Sequence, residues 1–558
     1  MSKKLKKIAH GKSNPIVFRS HYQIGSPAAE DDDEFLFDAF LQAPHIEEAL
    51  KFKSPKTLLV GRTGSGKTAT LRFIEQTRPN TIRISPDELS LQYIESSDVV
   101  QVLNALGINI DQIFIALWRH VFCVELIKHR FSLTQPNVQS LITKLNPFGQ
   151  KRRQAIEYLD QFGTEFWQDT SVRIKQITDH IGKSVSMGAD IDLSKFRADL
   201  ARGDTTSKEV RSEQQSRIQR VLSTIQLQKL ADVIDYLKDD CFNEPHFGLY
   251  VIIDDLDKPF SEESIRLRLV RALIETVKKM SPIPYVKFVI AIRSDLIHEV
   301  FEKTRDNRFQ SEKHEDMILG IRWSTSELFS LVEKRLNVLF KRQYTSSNVS
   351  FSDIFAEKIG HQSTREYILK RTINRPRDAI SFINECIKQA HDSAKIFPKH
   401  VKDAEKFYSI SRFNSLIEEW SAVYPDLGVY SKIIERRMNK RHSTFDLADL
   451  YSDSVVEDIM QDLASLPGSL DPISQRVQSM FLKYNIDTKS IFKDIVSVLF
   501  KVGLIGIKFA KIESYTWSEG QTRSVPDLDL NNDVKIQIHP MFHRRFAVDD
   551  SGDISNPD

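Results

Sequence analysis

The stretch GRTGSGKT at 61–68 leaves this chain few folds to choose from. An apolar run, TLLV, precedes it and an amphipathic stretch, TATLRFIEQ, follows it, so the glycines sit where a strand turns into a helix. Glycines at 61, 64 and 66 let backbone wrap closely around an anion, and the helix start adds positive potential. The spacing GxxxxGK[ST] in that context predicts a phosphate cradle formed by Gly61, Thr63, Gly64, Ser65, Gly66, Lys67, Thr68 and Ala69. Lys67 is placed to reach the β- and γ-phosphates of a nucleotide, and the Thr68 hydroxyl to ligate Mg²⁺.

A second stretch, VIIDDLDKPF at 251–260, sets three aspartates behind an apolar run. Like charges this close repel, and burying an unpaired carboxylate costs several kcal/mol. A cation resolves the conflict. An apolar strand ending in Asp is the second half of a phosphate-loop site, which assigns Mg²⁺ to Asp254. Asp255 stands where many ATPases carry a Glu that polarises the attacking water, so it is the candidate base. Its shorter side chain implies slow turnover. Asp257 reads as a helix-capping or loop group.

Strands alternating with helices predict an α/β fold with a parallel sheet. The stretches are TLLV, TIRI, LYVII and YVKFVIAIR, with helical patterns between them. The long separation of Lys67 from Asp254 implies a helical insertion over about 96–245. The expected organisation is a lead-in segment at 1–50, which includes helices over EFLFDAFLQAPHIEEALKF, and an ATPase core at 51–323. A helical lid at 324–410 and a helical, winged-helix-like domain at 411–548 follow, before an acidic tail at 549–558.

With 558 residues the chain is too long for one core. Net charge is only +2, so binding to nucleic acid has to come from local patches. The three cysteines are scattered and carry no metal spacing, which suggests a reducing, cytoplasmic setting. The start lacks an apolar signal segment, and no run approaches 18 apolar residues, so no membrane partner is expected.

Several arginines are candidates for a nucleotide site. Arg293 closes the strand VKFVIAIR and either senses a γ-phosphate or pairs with Asp295. Arg375 and Arg377 flank Pro376 at a helix start and either reach the nucleotide from a lid or sit in solvent. Arg266, Arg271 and Arg308 are candidates for completing a neighbour's site on an exposed face. Trp118, Trp167, Trp323 and Trp420 read as core. The clusters KRR (151–153), ERRMNKRH (435–442) and HRRF (543–546), with Lys508 and Lys511, are candidate phosphate contacts for DNA, though solvated faces explain most of them.

The order of GSPAAEDDDEFLFDAF, LLVGRTGSGKTA, VIIDDLDK, FVIAIRSDL, IRWSTSELFSLVEKRL, RPRDAISFIN, VLFKVGLIG and IHPMF resembles a family of bacterial P-loop ATPases near the KAP and STAND branches of the AAA+-like NTPases. The resemblance implies an ATPase core, a helical lid and a C-terminal winged-helix-like unit. It casts Lys67, Thr68, Asp254 and Asp255 in the core roles, Arg293 as a first sensor, and Arg377 or Arg375 as a second. Arg62-Thr63 departs from the expected pair, outside the phosphate-contacting positions.

Relatives of that kind are associated with conflict systems, including defence against phage. The expected function is an ATP- and Mg²⁺-dependent regulatory switch, homo-oligomeric, controlling a separately encoded effector. A DNA-binding initiator or loader with a winged-helix reader is the alternative, and a nucleotide-bound scaffold without hydrolysis the third reading. No nuclease, protease or metal cluster is recognisable outside the ATPase core.

Overall fold

A computed structural model describes residues 17–84, 100, 103, 110–130, 182–183, 186–187, 227–256, 263–304, 312–343, 348–436, 441–466, 468–508, 514–518 and 534–548. Most of the 96–245 insertion, the acidic tail, Asp257, Arg308, Lys511, Trp167 and KRR 151–153 lie outside them. The chain separates into two compact units. The sheet unit comprises Ala43–Gly61 and Lys67–Ile321; the helical unit comprises Met1–Gln42, Arg62–Gly66 and Arg322–Asp558.

The sheet unit is built on five parallel strands: β1 (Leu58–Gly61), β2 (Thr81–Ile84), β3 (Leu249–Ile253), β4 (Val286–Arg293) and β5 (Ile318–Gly320). Their order is β2-β3-β4-β1-β5. Each of β1 and β3 is buried along its whole length, as continuous apolar runs covered on both faces should be. Helix α1 (Lys67–Thr77) follows β1. From the insertion, α2 (Asp111–Arg130) buries Trp118 and Phe122, and the Phe122 ring meets Phe288 of β4 edge-on at 5.0 Å. The Trp118 indole N–H donates to the Leu269 carbonyl at 3.0 Å, inside α3 (Glu263–Met280). Helix α4 (Ser294–Lys303) leaves β4 directly.

Among the described residues of this unit, Lys287 is a fully enclosed lysine. Lys287, on β4, is 1% exposed and its ammonium donates to the carbonyls of Ser54 and Lys56 at 2.8 and 2.7 Å. Burial pushes its pKa down to about 8.

In the helical unit, α5 (Thr325–Gln343), α6 (Pro376–Gln389) and α7 (Pro398–Trp420) share one core with the segment at 17–42. That segment is fastened by a buried pair, Arg335 to Asp32 at 2.6 Å, with Arg335 also donating to the Ile24 carbonyl at 2.9 Å. The predicted lead-in helices shrink to one, Pro44–Leu50; EFLFDAF forms turns that group with the C-terminal residues.

Helix α8 (Thr488–Lys501) feeds an antiparallel sheet in which β8 (Lys535–Ile538) lies between β6 (Thr444–Asp446) and β7 (Ile505–Lys508). Gly503, at φ +84°, makes the turn between α8 and β7.

Candidate functional site

In the sheet unit β1 ends at Gly61 and α1 starts at Lys67, as the motif spacing requires. The Lys67 ammonium donates to the Gly61 carbonyl at 2.9 Å, across the base of the loop. Asp254 leaves the end of β3 and is buried. One of its oxygens accepts the Asp255 N–H at 3.0 Å, and the Thr68 hydroxyl also bonds to the carboxyl. The other oxygen, Oδ2, is buried with no hydrogen-bond partner among the described residues.

Burial pushes the Asp254 carboxyl up to about 6, and the nearby Asp255 charge adds to that; the Asp255 N–H, Thr68 and Arg83 pull the other way. An orphaned buried carboxylate oxygen beside a threonine hydroxyl suits Mg²⁺, which takes one or two protein oxygens and completes its shell with water and phosphate. Among the described residues no cluster of three or more His, Cys, Asp or Glu forms an all-protein metal cage. Asp255 has φ +59°, a left-handed conformation that Asp tolerates and that turns its side chain off the strand direction.

Arg83, near the end of β2, carries no signal in the sequence that would mark it as a site residue. It holds Glu75 of α1 by two bonds of 2.7 and 2.9 Å and adds positive charge beside Asp254 and Asp255. Only the pairing of β2 with β3 brings it there.

Strand β4 lies between β1 and β3, so its C-terminal end falls between the phosphate loop's strand and the aspartate strand. Arg293 is the register partner of Gly61. Its guanidinium pairs with Asp295 through Nε at 3.0 Å and Nη2 at 2.7 Å. The sensor and ion-pair readings thus share one place: a strand end of the ligand-facing kind, with an arginine already held by a carboxylate.

Loop residues 62–66 belong to the helical unit. Gly64 and Gly66 have φ +77° and +100°, and Ser65 N–H closes a turn onto the Arg62 carbonyl at 3.1 Å. Three successive carbonyls are capped: Thr63 by Arg375 Nη1 at 3.0 Å, Gly64 by the Arg377 N–H at 3.3 Å, and Ser65 by the Trp323 indole N–H at 2.7 Å. Trp323, expected in a core, is half-buried and acts here. The hydroxyls of Thr63 and Ser65 are buried with no hydrogen-bond partner among the described residues, as ligand-facing groups can be.

The two lid arginines differ. Burial opposes the charge on Arg375, yet Asp378 and Glu419, at 2.9 and 3.2 Å, outweigh it and raise its pKa. Arg377 is lowered, first by burial and then by the charges of Arg375 and Arg412; its Nε donates to the Pro27 carbonyl at 3.3 Å.

The exposed-face arginines need correction, and the basic clusters have partners of their own. Arg271 is not on an exposed face: it is buried, pairs with Glu275 at 3.1 Å and donates to the Thr304 carbonyl. Arg266 is also largely covered, 3.9 and 3.8 Å from Glu263 and Glu299. Arg544 pairs with buried Glu405 at 3.2 Å, and Arg545 with Glu435 at 2.7 Å while its guanidinium lies 4.7 Å from the Phe413 ring centre. In 435–442, Arg436 is paired with Asp458 at 3.0 Å. Lys508 lies 5.9 Å from the Tyr515 ring centre.

A family profile described as the FunZ-associated C-terminal helical domain matches residues 326–417, which overlaps the stretch expected as a lid. An 80.3 kDa protein of transposon gamma-delta, from Escherichia coli (strain K12), is 20% identical over 305 residues, covering 52% of this chain and 39% of that protein. The chain thus matches about two fifths of that relative's length. Allergen Alt a 2 of Alternaria alternata is 25% identical over 136 residues, 22% of this chain and 72% of that protein. Among solved structures, the Walker-type ATPase PABY2304 of Pyrococcus abyssi aligns over 89% of this chain and 96% of its own, at 12% identity and a TM-score of 0.34. Among the described residues no helix is long and apolar enough to cross a membrane.

Proposed function

We propose that this chain binds ATP with Mg²⁺ and hydrolyses it slowly, as a regulatory ATPase. The observation that carries the reading is the strand order: the phosphate loop leaves β1, Asp254 leaves β3, and β4 between them ends at Arg293. Ligand crevices in open α/β sheets form at such carboxyl ends. Lys67 and the loop amides would hold phosphates, Thr68 and Asp254 would hold Mg²⁺, and Asp255 would orient the attacking water. Bound Mg²⁺ would neutralise charge developing on the phosphates. Arg377 suits a second sensor better than Arg375, because its cationic neighbours favour an anion while Arg375 is already neutralised by Asp378 and Glu419.

The finer role is a switch that controls a separately encoded effector in prokaryotic conflict, with a homo-oligomeric active state. Its support is the sequence resemblance together with the profile match at 326–417. A winged-helix-like C-terminal unit is consistent with α8 leading into β7 and β8, with β8 between β6 and β7. For the DNA-loader reading, Arg544 and Arg545 would have to leave Glu405 and Glu435 to reach phosphates.

The test is titration of the purified chain with a fluorescent ATP analogue with and without Mg²⁺, followed by single-turnover hydrolysis. Lys67→Ala should abolish binding, since it removes a phosphate-neutralising charge and little packing. Unchanged affinity in that variant would refute the assignment.

A further inference from the structure

Arg62 follows the first glycine of the loop, at a position that needs no phosphate contact. It is nonetheless 8% exposed. Its Nη2 donates to the Val502 carbonyl at 2.7 Å, in the turn where α8 passes into β7, and its Nη1 to the Ser518 carbonyl, in the segment beyond β7, at 3.4 Å. Burying a guanidinium is costly unless its donors are satisfied, so this is a committed contact rather than a resting place for a surface side chain. The receiving site is shaped for it. Gly503 has φ +84°, and a Cβ there would stand 3.0 Å from Arg62 Nη1.

The next three residues are held on the same terms. The carbonyls of Thr63, Gly64 and Ser65 are tied to Arg375, the Arg377 amide and Trp323. In a trans peptide plane the C=O and the following N–H point in opposite directions. Fixing the Thr63 and Ser65 carbonyls therefore also fixes the directions of the Gly64 and Gly66 N–H groups, the kind of donor such a loop offers a phosphate.

We propose that Arg62 is a positioning residue: it anchors the phosphate loop in the turn between α8 and β7, so that the loop's binding-ready shape depends on the C-terminal sheet. The inference rests on the nucleotide reading above. It adds a linkage that the motif does not contain: whatever displaces residues 502–503 loosens the loop, and nucleotide on the loop stabilises that turn. Reciprocity is required of any such coupling.

The test compares wild type, Arg62→Ala, Arg62→Lys and Gly503→Ala in full-length protein. Two quantities are read well below the melting temperature: affinity for a fluorescent ATP analogue, and amide exchange of residues 500–508 with and without nucleotide. Arg62→Ala and Gly503→Ala should each weaken binding by about fivefold or more, and nucleotide should no longer protect 500–508. Arg62→Lys, which keeps a donor for one carbonyl, should recover part of both.

A merely stabilising arginine would lower the melting temperature and leave affinity and nucleotide-dependent protection as in wild type, and that result overturns the proposal. Should Arg62→Ala fail to fold, Arg62→Lys and Gly503→Ala carry the same comparison. Wild type that binds no nucleotide would defeat the nucleotide reading and this inference with it. Wild type that binds, beside a Gly503→Ala variant that binds equally and still protects 500–508, defeats the inference alone.

Discussion

Arg293 stands directly across from Gly61 in the parallel pairing of β4 with β1, so the end of the central strand is level with the start of the phosphate loop. Its bidentate pair with Asp295 fixes the guanidinium there. A phosphate brought to this strand end would have to compete with Asp295 for the same guanidinium N–H donors.

Arg293→Ala should leave nucleotide affinity within about threefold and slow hydrolysis by about 10²-fold, the usual loss when one transition-state donor is removed. Asp295→Ala should do the opposite, keeping or raising the rate, because it frees the arginine. If the pair is only a structural clamp, both variants lose stability together and neither changes the single-turnover rate.

Asp255→Asn should bind Mg²⁺–ATP like the parent and fail to turn it over, with a loss of at least about 10²-fold. The left-handed backbone at this residue tolerates Asn, so folding should be unaffected. Hydrolysis at the parental rate in a single-turnover assay would remove Asp255 as the base.

Asp254 links pH to stability in the nucleotide-free protein. Its folded pKa of about 6 is above the ordinary carboxyl value, so between about 4 and 6 the folded state holds a proton that the unfolded chain has released. Stability contributed by the neutral carboxyl is therefore present at low pH and lost as pH rises through 6, by about 2–3 kcal/mol. Asp254→Asn should melt higher than wild type at pH 8, with the gap closing toward pH 4, while losing Mg²⁺-dependent binding. A variant melting below wild type at pH 8 would contradict this account.

Lys287 gives the complementary case. Its folded pKa, pushed down to about 8, lies below that of the unfolded chain, so between about 8 and 10.4 the unfolded state binds the extra proton. Stability from this group should rise with pH across that window and fall as pH drops through 8. Lys287→Met should flatten the rise while leaving the Ser54 and Lys56 carbonyls without their donor, which costs stability at pH 7. Denaturant melts of both proteins at pH 7.5 and 9.5 measure the difference.

The sequence displayed what is local and hid what is distant. Gly61–Thr68 was legible because spacing, strand and helix are contiguous, and Asp254 because an apolar run that stops at a carboxylate is unusual. Arg62 looked idle since its partners, Val502 and Ser518, lie at the far end of the chain. Trp323 reads as core because it lies in an amphipathic segment, and nothing adjacent announces that its N–H reaches Ser65. Arg271 reads as a surface residue because amphipathic spacing does not reveal that Thr304, just past the end of α4, turns its carbonyl to the guanidinium.

The C-terminal arginines make the last prediction. Arg544 and Arg545 were candidates for DNA phosphates, but each is bound to a carboxylate of the same unit, and Glu405, at 1% side-chain exposure, also receives Tyr367 at 2.7 Å and Arg371 at 2.6 Å. Removing Arg544 takes one cation from a buried acid that keeps two other donors, so Arg544→Ala should cost about 1–2 kcal/mol rather than unfold the unit. Arg545→Ala loses a partly exposed pair and the stacking on Phe413, and should cost less than about 1 kcal/mol. For duplex DNA, the double variant should bind as wild type does, with the same dependence on salt. A salt slope that flattens by about 0.9 for each arginine removed would instead mean that both side chains leave their carboxylates for phosphates, and would restore the DNA-reading role of this edge.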